Sequence, residues 1–177
     1  MTNANAVAAM VTWVGALCRG GLLMGRAEEE GAELALRLLG EEALVGLREW
    51  FAAQPAAITL RERRGAIHAC IWIAHADRDV AEEEVAMLQS IVAASDLAPD
   101  AQDELLAAID APLDAEAIAR ELTQPGLREL VLALAMALAQ SDHRLDPEEQ
   151  SALDALAGAF GISADRAATL RARVADV

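Results

Sequence analysis

Between Leu130 and Ala139 the chain carries no charged side chain, and Leu, Val, Met and Ala fill every helical side of the run. A helix that is apolar all round persists in water only where the rest of the chain covers it. The run ends in Ser141-Asp142-His143-Arg144-Leu145-Asp146-Pro147-Glu148-Glu149, a turn dense in carboxylates.

The same figure stands 65 residues earlier. Ala66 to Ala76 is apolar, with Ile67, Cys70, Ile71, Trp72 and Ile73, and runs into Asp77-Arg78-Asp79-Val80-Ala81-Glu82-Glu83-Glu84. Superposed, Ala74 meets Ala139, Asp77 meets Asp142, Val80 meets Leu145, Glu84 meets Glu149 and Leu88 meets Leu153. An apolar helix, an Asp, an aliphatic residue, a Glu and a second helix are thus written twice, which is an internal duplication.

This doubled pattern resembles the TerB-like, tellurite-resistance family of all-helical domains, over roughly Thr59 to Val174. In that family a helix ends in Ala-Asp-Gly, and an aliphatic residue and a Glu follow at this spacing. Arg78 and His143 stand where the family usually has glycine. If that position is left-handed, a histidine adopts it at lower cost than an arginine. The resemblance implies an all-α bundle of about eight or nine helices with a pseudo-twofold axis relating the two copies. It also implies a non-enzymatic stress-response role of the tellurite-resistance type.

Composition agrees with helices. The chain is 55% hydrophobic but only 3% aromatic, has no Tyr, and is rich in Ala and Leu, which favours closely packed helices over a sheet. At 177 residues it is long enough for one core. A net charge of -15 argues against nucleic acid as a partner and leaves cations or basic protein surfaces. Cys18 and Cys70 are single and set in apolar runs, consistent with buried thiols in a reducing cytoplasm.

Met1 to Cys18 carries no charged side chain, and Arg19 and Gly20-Gly21 interrupt it short of a membrane span. No positive charge precedes the apolar stretch, as it would in a secretory signal. Three readings stand for this stretch: a helix packed on its own domain, a contact with a protein partner or a second copy of the chain, and a peripheral anchor at the inner face of the membrane. Residues 1–58 read as a helical extension and 59–177 as the TerB-like domain, the whole forming one unit. Within the extension, Arg26 to Leu39 and Glu41 to Ala53 are amphipathic, separated by Gly40 and closed by Pro55. Thr59-Leu60-Arg61-Glu62 reads as a capping box that opens the next helix. Later helices are expected near Asp100 and Asp114, from Pro147 to Phe160, and from Ser163 to Val174.

The carboxylates of the two turns are the concentrated chemistry. Asp146, Pro147 and Glu149 fit an N-cap, N1 and N3, so Glu149 reads equally as a cap. The first copy fits capping less well, with Ala81 at the cap position. Asp77 and Asp142 fit it worse, since an acid at a helix C-terminus faces the negative end of the dipole. The alternative is a divalent-cation site. With the turns side by side, as the resemblance implies, Asp77, Glu84, Asp142 and Glu149 converge on one ion. Oxygen donors favour Ca²⁺, Mg²⁺ or Mn²⁺ over Zn²⁺, although His75 and His143 flank the Asp residues. Arg78 and Arg144 could instead neutralise these acids by pairing. No nucleophile constellation or phosphate loop is present, and no enzyme is expected.

Overall fold

The computed structural model describes residues 30–75, 82–93, 95, 97–139 and 147–175. Within these helices the side chains of residues 30–34, 83, 84, 87 and 137–139 lie outside the description. The described residues form α-helices and no strand: α1 (Glu30–Leu39), α2 (Glu41–Ala53), α3 (Ala56–Ala74), α4 (Glu82–Ala93), α5 (Pro99–Asp110), α6 (Ala115–Glu121), α7 (Pro125–Ala139), α8 (Pro147–Ala159) and α9 (Ala164–Ala175).

The apolar runs are the centre of the bundle. Every residue from Leu130 to Met136 is at most 4% exposed, so α7 has no solvent side along that stretch. On α3 the whole run from Gly65 to Ile71 is buried in the same way, 65 residues earlier in the chain. These two helices pack on each other, and the other helices supply the cover. The repeat extends through three helices per copy, because α4 and α5 begin 65 residues before α8 and α9. Core positions match in kind: Leu88 with Leu153, Ile91 with Leu156, Leu105 with Leu170, and Ile109 with Val174, all buried. The flanking helices cross over between copies. The helix preceding α3, α2, lies on α7, whereas the helix preceding α7, α6, lies on α3.

The helices of the expected extension that are described join this same core. Ala35 and Leu38 of α1, and Leu44, Leu47 and Phe51 of α2, are buried in one cluster with α7 residues. Gly40 separates α1 from α2 with φ of 88°, a conformation that favours glycine, and its N–H donates to the Leu36 carbonyl at 2.8 Å. Arg173 of α9 donates to the Leu38 carbonyl at 2.8 Å, so a side chain from the last helix caps the first described one. Trp50 stands edge-on to Phe51 at 5.1 Å, half-buried where the sequence pointed it inward. The uncharged stretch Met1 to Cys18 lies outside the described residues, and the readings offered for it with it.

Helix starts and stops mostly follow the sequence signals. Asp114 caps α6, accepting from the Ala117 N–H at 2.7 Å. Gly161, with φ of 69°, ends α8 in a Schellman motif in which the Ile162 N–H reaches the Ala157 carbonyl at 2.9 Å. The capping box is the exception. The helix opens three residues earlier, at Ala56 behind Pro55, and Thr59 is already inside it, donating its hydroxyl to the Ala56 carbonyl at 2.9 Å. Proline at the boundary presets the entry φ. Glu62 is therefore not needed at its own helix start and serves another element, as described below.

Substituting Leu134→Asp places an unpaired carboxylate on the covered helix. The lost packing and the buried charge together cost at least about 5 kcal/mol, a large share of a typical stability of about 5 to 15 kcal/mol. Circular dichroism should show the variant unfolded or molten at 25 °C; a melt like the parent's would refute the central placement of α7.

Candidate functional site

Of the four acids singled out from the sequence, the structure places one side chain. Glu149 is the third residue of α8 and is half-buried. Glu84 holds the equivalent third position of α4, with its side chain outside the description. Asp77 and Asp142, like Arg78, His143 and Arg144, lie outside the described residues. Among the described residues no three His, Cys, Asp or Glu side chains are close enough to hold a metal ion. His75 closes α3, and its Nε2 is engaged with the Ile109 carbonyl at 2.7 Å, which ties the end of α3 to the end of α5.

The polar chemistry that is placed runs along α3 where it meets α5 and α6. Glu62 is fully buried, and its carboxylate accepts from the Thr123 N–H at 2.8 Å, the Gln124 N–H at 3.1 Å and the Thr123 hydroxyl. Arg61 spans the same group, donating to Thr123 Oγ1 at 3.1 Å and lying 3.4 Å from Glu62. These backbone donors immediately precede α7, where the helix dipole also favours a negative group. One turn on, Gly65 permits the contact: a Cβ there would stand 2.9 Å from the Leu122 backbone nitrogen. Arg64 then bridges Glu104 of α5 at 2.7 Å and Glu121 of α6 at 3.6 Å. Burial pushes the Glu121 carboxyl above the ordinary carboxylate range, against the pull of Arg64. His68 follows one turn after Arg64 and is buried.

Arg128, in the first turn of α7, closes the corner. Its guanidinium donates to the carbonyls of Leu122 at 2.5 Å, Ala119 at 2.6 Å and Phe160 at 2.9 Å, so one cation serves the C-terminal ends of both α6 and α8. It also lies 5.7 Å from the centre of the Phe160 ring. Arg166 of α9 grips Glu129 of α7 through two hydrogen bonds of 2.9 and 2.6 Å.

Against known proteins, the model of the family described as "Tellurite resistance protein TerB" matches residues 63–172, more than half of the chain. The chain belongs to the TerB family. No curated protein and no solved structure matches it. The TerB match opens at Arg63 and closes at Ala172, so it takes in both acidic turns and almost all of both repeats. The polar seam straddles its start: Glu62 lies just outside the TerB match, while Gly65, His68 and Arg128 lie within it.

Glu62, Gly65, His68 and Arg128 were not foreseen as a set. The repeat itself held the signal. At the matching positions of the second copy stand Leu127, Leu130 and Ala133, all buried, so the first copy replaces an apolar stripe by Glu, Gly and His at three-residue intervals. Such a stripe of departures on a covered helix marks where something other than apolar packing is satisfied.

Truncating Glu62→Ala leaves the Thr123 and Gln124 N–H groups without their acceptor in a half-buried corner. At about 1 to 3 kcal/mol for each stranded donor, the variant should lose about 2 to 6 kcal/mol in urea unfolding at pH 7. A midpoint within experimental error of the parent's would show that the carboxylate does not hold the α6–α7 corner.

Proposed function

We propose that this TerB-family chain is a non-enzymatic module that binds a divalent cation through Asp77, Glu84, Asp142 and Glu149, in the tellurite-resistance type of role. The observation that carries the reading is the doubling of these acids at a 65-residue spacing. Glu84 and Glu149 both occupy the third place of their helices, and Asp77 and Asp142 both stand three residues beyond the ends of the covered helices α3 and α7. A helix C-terminus disfavours an acid through its dipole, so a cation near Asp77 and Asp142 would offset the cost in both copies.

The donor set would be carboxylate oxygens, which suits the hard ions Ca²⁺, Mg²⁺ and Mn²⁺. Zn²⁺ suits it less, and His75, the nearest placed imidazole, has its Nε2 committed to Ile109. A bound ion would lower repulsion between the turns and stiffen the ends of the central pair. A chain of net charge -15 repels oxyanions such as tellurite, so the reading assigns cation handling to this member and not capture of the oxyanion.

The test is a thermal-melt series of chelator-treated protein with each of Ca²⁺, Mg²⁺, Mn²⁺ and Zn²⁺, beside an Asp77→Asn/Asp142→Asn variant. An ion at about 100 times its dissociation constant should add about 2.7 kcal/mol, which at this size raises the midpoint by about 5 to 11 °C. The rise should vanish in the variant. No rise with any ion, at concentrations up to millimolar, would reduce these acids to caps and surface charge.

A further inference from the structure

His68 lies mid-way along α3, only 2% exposed, and among the described residues neither ring nitrogen has a hydrogen-bond partner. Its counterpart in the second repeat is Ala133, fully buried on α7. The fold therefore accepts a methyl group at this place, and the imidazole is an addition peculiar to the first copy. We infer that His68 is an acid-sensitive latch on the interface of α3 with α5: neutral, it lets the two helices pack, and protonated, it drives α5 away.

The surroundings decide the direction. An imidazolium has two N–H donors to satisfy and a charge to solvate, and the described residues offer neither ring nitrogen an acceptor. On its own helix Arg64 presents a like charge, and Glu104 of α5 is the carboxylate that acts on the ring. Glu104, however, is already engaged by Arg64 at 2.7 Å, and Glu121 of α6 faces the same guanidinium at 3.6 Å. The buried residues described on α4 (Leu88, Ile91, Val92) and on α7 are all apolar. Burial first, and Arg64 next, hold the His68 ring below its ordinary value of 6.5, against the opposite pull of Glu104.

The sign follows from linkage. The unfolded chain takes up this proton as pH falls through 6.5, whereas the folded chain resists it until a lower pH. Stability is thus full above 6.5, declines as pH drops below it, and levels off once the folded-state value is passed. The cheapest response to the proton is local. If α5 moves off, water reaches the ring and solvates its charge. The same movement breaks the contact of His75 with Ile109 at 2.7 Å, and so releases the last turn of α3, which leads directly into residues 76–81. Acid at His68 is in this way coupled to the helix end that precedes Asp77, with or without an ion bound there.

The test compares the full-length parent with His68→Ala, the residue of the matching position, in thermal melts from pH 7.5 to 5.5 and in hydrogen exchange. Glu121 shifts with the opposite sign but is common to both proteins and cancels in the difference. The parent should lose more thermal stability than the variant on acidification. Amides of α5 and of the last turn of α3 should open more often at pH 5.5 in the parent alone, by up to about tenfold, the limit set by one pH unit below 6.5. Proton NMR of the parent, with ring signals assigned through His75→Gln and His143→Asn, supplies a readout that does not depend on the alanine variant folding. A His68 ring titrating at or above 6.5, or acid-induced loss of stability that is identical in parent and variant, would overturn the latch.

Discussion

Gly65 to Ile71 and Leu130 to Met136 sit in the middle of two helices with no side left for water. Hydrophobic burial of that kind cannot be met by one neighbour, because a helix packed against a single partner keeps an open face. Covering two such helices takes neighbours on every flank, and the chain supplies them by repeating itself. Each covered helix has its own two successors beside it, α4 and α5 for the first copy and α8 and α9 for the second. The remaining flank is closed from the other copy: α6 lies on α3, and α2 with α1 lies on α7. Neither copy is complete without a helix that precedes its partner, which makes the two halves one cooperative body and places α1 and α2 in the core.

Close cover has a geometric cost, and it falls on α6. That helix has only seven residues, too few to satisfy many of its own terminal groups. It approaches α3 so closely that Gly65 leaves room for the Leu122 backbone and little else. Two charged side chains of opposite sign settle the loose ends: Glu62 accepts the N–H groups that lead into α7, and Arg128 donates to the carbonyls that α6 and α8 leave open. Each sits at the end of a helix where the dipole favours its sign. Charged side chains of this sort satisfy backbone groups that would otherwise be stranded, and here they fix the corner between the copies.

The fold was legible because its determinants are periodic. The two apolar runs, their 65-residue spacing and the punctuation at Gly40, Pro55, Asp114 and Pro147 specify helices, their ends and their pairing without knowledge of any long-range contact. The seam was not legible for the opposite reason. Thr59 to Glu62 satisfies the capping-box pattern, but so does any helical turn with Thr and Glu at that spacing, and only the tertiary approach of Thr123 decides which backbone the Glu62 carboxylate serves. Arg128 likewise looks like an ordinary first-turn arginine until the ends of α6 and α8 are brought to it. Read by difference, the repeat would have shown where to look, since Glu62, Gly65 and His68 oppose Leu127, Leu130 and Ala133.

Matched and unmatched positions therefore carry different information. Apolar matches such as Leu105 with Leu170 are what the core demands, and they say nothing of function. Glu62 and Gly65, unmatched on α3, are explained by one asymmetric contact, that of α3 with α6 and the residues that follow it. The matched acids belong to neither class, because Glu84 with Glu149 and Asp77 with Asp142 are polar and yet recur in both copies. The dipole of α4 or α8 favours any acid in its first turn and would accept Glu82, Glu83 or Glu148 as readily as the residue at the third place. It gives no reason for an Asp beyond the preceding helix, where the field opposes it. Helix electrostatics thus account for the pair Glu84 with Glu149 and not for the pair Asp77 with Asp142.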